Sequence, residues 1–236
     1  MKQGLTTLCV TALVFSLNAM AENQFLEIGA GYRRTDTNQV QGASTLTFLQ
    51  ANYGVIGVAH DFSMSFQYQG VDDGNASETG VGDIYASIGY RQLLDSSVTN
   101  YLRTSFAIKL PTADETRGLG TGETDYGLFV NYRRQISVLA WTYSAGYVVT
   151  GDPPGTDISD SFIYGIMGSR RFSRSYLSLG LEGGLQTSNQ VDDPLAMVGH
   201  MFFQVYPARF IHFSYMAGIS DASPDYGFAI GVVSWF

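Results

Sequence analysis

Hydrophobicity in this chain repeats with a period of two. In Asp61–Gly70, DFSMSFQYQG, the residues Phe62, Met64, Phe66 and Tyr68 alternate with Ser63, Ser65, Gln67 and Gln69. That period puts apolar side chains on one face of a β-strand and polar ones on the other. The pattern recurs at Leu26–Arg33, Asp83–Arg91, Leu102–Leu110, Asp125–Arg133, Leu139–Tyr147, Leu177–Gln186, Ile211–Gly218 and Phe228–Phe236. Weaker versions lie near Ser44–Tyr53, Phe162–Met167 and Leu195–Gln204, so twelve antiparallel strands are expected. An even number of strands, each of about nine to twelve residues, suits a tilted strand crossing a bilayer. A soluble sandwich would turn the apolar face inward, and a membrane barrel would turn it out toward lipid.

The two ends of the chain favour the barrel. Residues 1–21, MKQGLTTLCVTALVFSLNAMA, carry Lys2, an apolar run and an Ala-Met-Ala site, the layout of a secretory signal peptide cleaved after Ala21. The last strand, FAIGVVSWF, ends on Phe236, with Phe228, Ile230 and Val232 alternating before it and Ser234 breaking the series. It resembles the assembly signal of bacterial outer-membrane barrels. The expected mature chain is therefore one barrel over residues 22–236.

Composition agrees. Only 14% of residues are charged, against 27 Gly, 15 Tyr and 15 Phe. The mean hydropathy is +0.02, as alternating lipid-facing and lumen-facing residues would give. Without residues 1–21 there is no cysteine, which excludes thiol catalysis and thiolate metal sites. Twelve basic residues then face 21 acidic ones, a balance of −9 that does not favour nucleic acid.

Connections alternate between long and short. The long ones cover Arg34–Ala43, Val71–Val81, Pro111–Thr124, Gly151–Asp160, Thr187–Pro194 and Ser220–Pro224. They hold acids such as Asp72, Asp73, Glu78, Asp114, Asp157 and Asp192. The short ones, Gln92–Ser97, Arg134–Ile136, Ser173–Arg174 and Pro207–Ala208, gather arginines such as Arg134, Arg171, Arg174 and Arg209. Long loops outside the cell, short turns in the periplasm and both termini periplasmic would sort charge in this way. The aromatics Tyr90, Tyr126, Tyr132, Trp141, Tyr147 and Trp235 near strand ends suit interfacial girdles.

With apolar residues facing lipid, the expected lumen charges are Glu27, Asp83, Asp125, Glu182, Arg33, Arg91, Arg103, Lys109, Arg133 and Arg170. They would either form ion pairs that structure the lumen or set permeant selectivity. His200 and His212 have lumen parity, and a hydrogen-bonding role is expected of His200. A barrel lipid hydrolase would need a Ser–His pair with an orienting partner on the outer surface, and no such set is evident. The three histidines share no metal-ligand spacing. GLGTGETD at Gly118–Asp125 lacks the Lys-Ser/Thr and helix of a phosphate loop and reads as a flexible turn.

One block carries a family resemblance. GVGDIYASIGYRQL, Gly80–Leu93, is followed by FAIKLPTADETRGLGTGETDYGLFVNYRR, Phe106–Arg134. A GxGD-led strand, a strand ending K-L-P-T, a polar loop and GLGTG-x-x-D resemble the MetA-pathway phenol-degradation family of outer-membrane transporters. The resemblance marks Gly82, Asp83, Lys109, Pro111, Gly118, Gly120, Gly122 and Asp125. An ion-paired cluster of Asp83, Lys109 and Asp125 near the outer mouth is expected. The resemblance implies a barrel in the cell outer membrane that passes small molecules passively, hydrophobic or aromatic ones among them. The alternatives are an outer-membrane lipid-modifying enzyme and a plugged structural or adhesive barrel. No cofactor is implied. The expected partners are lipid, lipopolysaccharide, the barrel-assembly machinery reading Phe236 and the permeant, with the chain a monomer.

Overall fold

A computed structural model describes residues 23–36, 43–96, 99–155, 158–187 and 193–236. The signal peptide expected over residues 1–21 and the loop acids Asp157 and Asp192 lie outside them. The strands are β1 (Asn23–Asp36), β2 (Ala43–Ile56), β3 (His60–Asp72), β4 (Ser77–Val81), β5 (Ile84–Leu93), β6 (Tyr101–Leu110) and β7 (Asp125–Ile136). Then follow β8 (Leu139–Val149), β9 (Ser161–Arg171), β10 (Ser175–Gln186), β11 (Leu195–Tyr206), β12 (Arg209–Gly218) and β13 (Tyr226–Trp235). Each pairs antiparallel with its neighbour in sequence, except that β4 and β5 both pair with β3, and β1 pairs with β13 to close the sheet. Closure leaves no strand edge facing lipid, where unpaired backbone groups would cost several kcal/mol each.

The thirteen segments make twelve staves, because β4 and β5 share one. β4 pairs with Tyr68–Asp72 and β5 with His60–Ser65 of the same strand β3. Sequence reading placed Val71–Val81 in a loop, since SETGV is polar and follows DDGNA. Tertiary pairing extends the strand through it, and the connection shrinks to Asp73–Ala76. There the Asp73 carboxylate accepts the amides of Asn75 (2.9 Å) and Ala76 (2.8 Å), and Gly74 takes a left-handed φ of +83°. Those amides hold the exposed Asp73 carboxyl below its usual range. The break between β4 and β5 falls at Gly82–Asp83.

The apolar face points outward. Ile28, Leu49 and Ile88 are 59%, 60% and 60% exposed, whereas Lys109 and Ser178 on the inward parity are 2% and 0% exposed. Phe66 and Tyr68 of DFSMSFQYQG are exposed too, and Ser63 donates to or accepts from Ser87 across the lumen wall at 2.8 Å. The turns at one end are tight. β7 and β8 are joined by Ser137–Val138, while the expected turn residues Arg134–Ile136 continue strand β7. β11 and β12 are joined by Pro207–Ala208, where Pro precedes a left-handed residue (Ala208, φ 61°), the pattern of a type II turn. Asn23 and Phe236 lie at this same end. Gln24 and Phe236 exchange backbone hydrogen bonds of 3.2 and 3.0 Å, sealing the β1–β13 seam.

Candidate functional site in the barrel lumen

Three polar clusters line the inner wall. The first sits at the long-loop end. Lys109 on β6 and Asp125 on β7 are direct register partners, and the Lys109 ammonium meets the Asp125 carboxylate at 2.8 Å and Asp83 at 3.9 Å. It also donates to the Thr121 hydroxyl at 2.8 Å. This is the trio the family motif marks, now joined to the connection between β6 and β7. Asp83 accepts the Ala113 amide at 3.0 Å, Thr112 donates to the Gly82 carbonyl at 2.9 Å, and Gln69 donates to the Leu119 carbonyl at 2.5 Å. The buried Leu119 lies over Gly80, and Arg117 pairs with Glu78 at 2.7 Å. The loop is therefore folded against β4 and Asp83.

The marked glycines permit that fold. Gly118 and Gly122 have φ of +69° and +74°, values costly for any residue with a Cβ. A Cβ on Gly120 would stand 2.7 Å from that of Ala113 and 3.0 Å from the Asp83 carboxylate. Within the loop, a single 3-10 turn over Glu115–Arg117 is capped by Asp114. Hydrogen bonds from the Thr116 hydroxyl and amide hold the exposed Asp114 carboxyl below its usual range.

The second cluster lies toward the short-turn end. Asp61 takes a bidentate contact from Arg103, Nε to Oδ2 at 2.9 Å and Nη2 to Oδ1 at 2.6 Å, and Arg91 stands 3.8 Å away. Arg91 and Arg103 are register partners on adjacent strands, a like-charged juxtaposition that is unfavourable without a counter-ion. Gly89 makes the room for one. A Cβ there would be 2.6 Å from Asp61 Oδ1 and 2.8 Å from Arg103 Nη2. Arg91 also stacks over the Tyr101 ring at 4.6 Å. Arg133 donates to the hydroxyls of Tyr176 (2.9 Å) and Thr142 (3.3 Å).

The third cluster is a chain of ring and carboxylate groups. His212 Nδ1 meets Glu27 at 2.6 Å, and its Nε2 lies 3.2 Å from His200 Nδ1. Asn52 donates to the other Glu27 oxygen at 3.2 Å, and Phe202 stacks on His212 at 4.0 Å. Since a carboxylate can only accept here, the Nδ1 proton of His212 points at Glu27. Glu27 and His212 stand on β1 and β12, with β13 between them, and they meet because Gly231 presents no side chain. A Cβ at Gly231 would be 3.2 Å from Glu27 Oε1 and 3.1 Å from the Ile28 carbonyl. Gly231→Val is expected to part Glu27 from His212 and to lower stability by about 1–3 kcal/mol. A urea titration of the folded barrel reads it, and an unchanged midpoint would refute the contact's importance.

Of the expected lumen charges, Glu27, Asp83, Arg91, Arg103, Lys109, Asp125 and Arg133 fall into these clusters, as does His200. Arg33 and Glu182 have inward parity and are half-buried. Arg170 is a correction: it shares the parity of Phe162 and Ile166, is exposed, and lies over the Phe172 ring at 5.0 Å. At the last turn of the wall a guanidinium on the outward face reaches the interface, so outward parity is affordable there. Asp61 was missed, although its parity with Ser63 and Ser65 was visible. The Glu27–His212 contact joins residues 185 positions apart, and no local signal announced it. Among the described residues no group of His, Asp and Glu is arranged to hold a metal ion.

Comparison with known proteins agrees with this architecture. None of the curated protein sequences compared matches the chain. Among solved structures, an outer-membrane channel from Pseudomonas putida F1 superposes with a TM-score of 0.74 at 12% identity, covering 92% of this chain and 97% of the other. The NanC porin gives a TM-score of 0.62 at 12% identity, with 89% and 98% covered. The CymD monoaromatic hydrocarbon channel gives 0.52 at 10% identity, with 91% and 88% covered. At such identities these likenesses show the fold, that of outer-membrane β-barrels. The profile of the family described as "Putative MetA-pathway of phenol degradation" matches residues 19–235. The chain belongs to that family of MetA-pathway phenol-degradation proteins.

Proposed function

We propose that the chain is a passive outer-membrane channel for small molecules. The observation that carries this is the sorting of its two faces. A closed wall turns apolar residues outward and a set of charged and hydroxyl side chains inward, the sorting expected of an interior that meets water or a polar solute. The family name and the monoaromatic permeant named for CymD point to small aromatic compounds. A second reading, a barrel without an open path, draws on the deep burial of Arg103, Lys109 and Ser178 and on the loop folded against Asp83. A lipid-modifying enzyme finds less support, because His200 faces His212 and its Nε2 has no hydrogen-bond partner.

Planar-bilayer conductance of refolded Glu22–Phe236 separates the two favoured readings. Discrete conductance steps are expected. A barrel that shows the heat-dependent gel shift of a folded protein yet stays silent would overturn the channel.

Export through cleavage after Ala21, a monomeric state and recognition of Phe236 by the assembly machinery complete the proposal. Deleting Phe236 removes two backbone hydrogen bonds to Gln24 at the closing seam as well as the terminal ring. Insertion into membranes is expected to slow severalfold, read as the rate at which the heat-modifiable form appears. An unchanged rate would contradict both roles.

A further inference from the structure

The second lumen cluster holds more positive charge than its neighbours balance. Arg91, Arg103 and Arg133 are 6%, 4% and 5% exposed. Asp61 is the carboxylate that meets Arg103 and Arg91, whereas Arg133 is met by neutral hydroxyls. Three guanidinium nitrogens, Arg91 Nε, Arg91 Nη2 and Arg133 Nε, are buried and make no hydrogen bond. Buried, unpartnered donors on a charged group are among the costliest features a fold can carry. By contrast, the Lys109 cluster at the loop end has two carboxylates for one ammonium. The lumen is thus acidic at the loop end and basic at the turn end.

We propose that Arg91, Arg103 and Arg133 form a binding constriction for a small carboxylate. Guanidinium forks match a carboxylate in charge and spacing, and such pairs are roughly twice as strong as neutral hydrogen bonds. Tyr101 sits under Arg91, 4.6 Å from its guanidinium to the ring centre, and is the register partner of Arg133. Its buried ring backs Arg91 and holds that guanidinium in place beside Arg133. Asp61 holds Arg103 and leaves the free donors of Arg91 and Arg133 to the ligand. The inference rests on the channel reading for how a ligand reaches the site, but binding can be measured without conduction.

The test uses benzoate as the anion and phenol as an uncharged compound with the same ring. Isothermal titration of refolded Glu22–Phe236 in detergent is expected to show saturable benzoate binding that weakens with salt, and tenfold or more weaker binding of phenol. Arg91→Gln and Arg133→Gln each leave the Asp61–Arg103 pair in place, and each is expected to weaken benzoate at least tenfold while keeping the heat-dependent gel shift. If one variant fails to fold, the other carries the comparison. No saturable binding, or equal binding to the variants or of phenol, would overturn the site and leave the free donors to ordered water. Benzoate binding by a barrel that is silent in the bilayer would support the site while overturning the channel.

Discussion

Asp61→Asn is expected to cost the barrel about 3–5 kcal/mol, the usual loss when one partner of a buried ion pair is removed. The carboxylate accepts both Nε and Nη2 of Arg103, and it is the counter-ion within 3.8 Å of Arg91. An amide in its place offers one acceptor and no charge, so two register-paired guanidiniums would face each other without compensation. Urea titration of the barrel in lipid vesicles, followed by tryptophan fluorescence or gel mobility, gives the change. The double variant Asp61→Asn, Arg103→Met should recover much of the loss, because deleting both members of a buried pair leaves less charge stranded than deleting one. A single variant as stable as the parent would mean that water already solvates these arginines. Gly89→Ala should act in the same direction, since its Cβ would enter the space of the Asp61 carboxylate.

The second large effect is expected at Lys109. Lys109→Asp or Asp125→Lys alone sets like charges against each other across a direct register pair. Each is expected to destabilise by about 3–5 kcal/mol. The double exchange restores an opposite pair at the same two positions and should regain more than half of the loss. Full recovery is not expected, because Lys109 also meets Asp83 and Thr121. The loop supplies an independent readout. Thr121 ties residues 111–124 to Lys109, and Arg117 lies on that loop, so the single variants should be cut faster by trypsin after Arg117. A double exchange no better than either single variant would show that the cluster is not held by this pair.

Much of this molecule was legible because the decisive signal is local. Alternation along ten residues says which side chains share a face, and a signal-like start with a terminal Phe says what surrounds them. Twelve staves and outward apolar faces followed from that, and the family resemblance added the grouping of Asp83, Lys109 and Asp125. What escaped depends on pairing between distant segments. Ser77–Val81 is too polar to read as a strand, yet its register with Tyr68–Asp72 makes it one. Arg170 was assigned inward on charge, although its parity with Ile166 pointed out; near the wall's end the interface can solvate a guanidinium.

The sequence by itself determined the architecture, the orientation of its faces and the membrane that such a wall requires, because a period of two is written residue by residue into every strand. Outside the Asp83, Lys109 and Asp125 group, the tertiary structure decided which charges meet. Pairing of β3, β5 and β6 brings Asp61 to Arg103 over 42 positions, and closure at the β1–β13 seam brings Glu27 to His212 over 185. Glycines at 89 and 231 open the space for both contacts. Ion pairing inside a barrel is set by register and closure, and those are properties of the whole sheet rather than of any one strand.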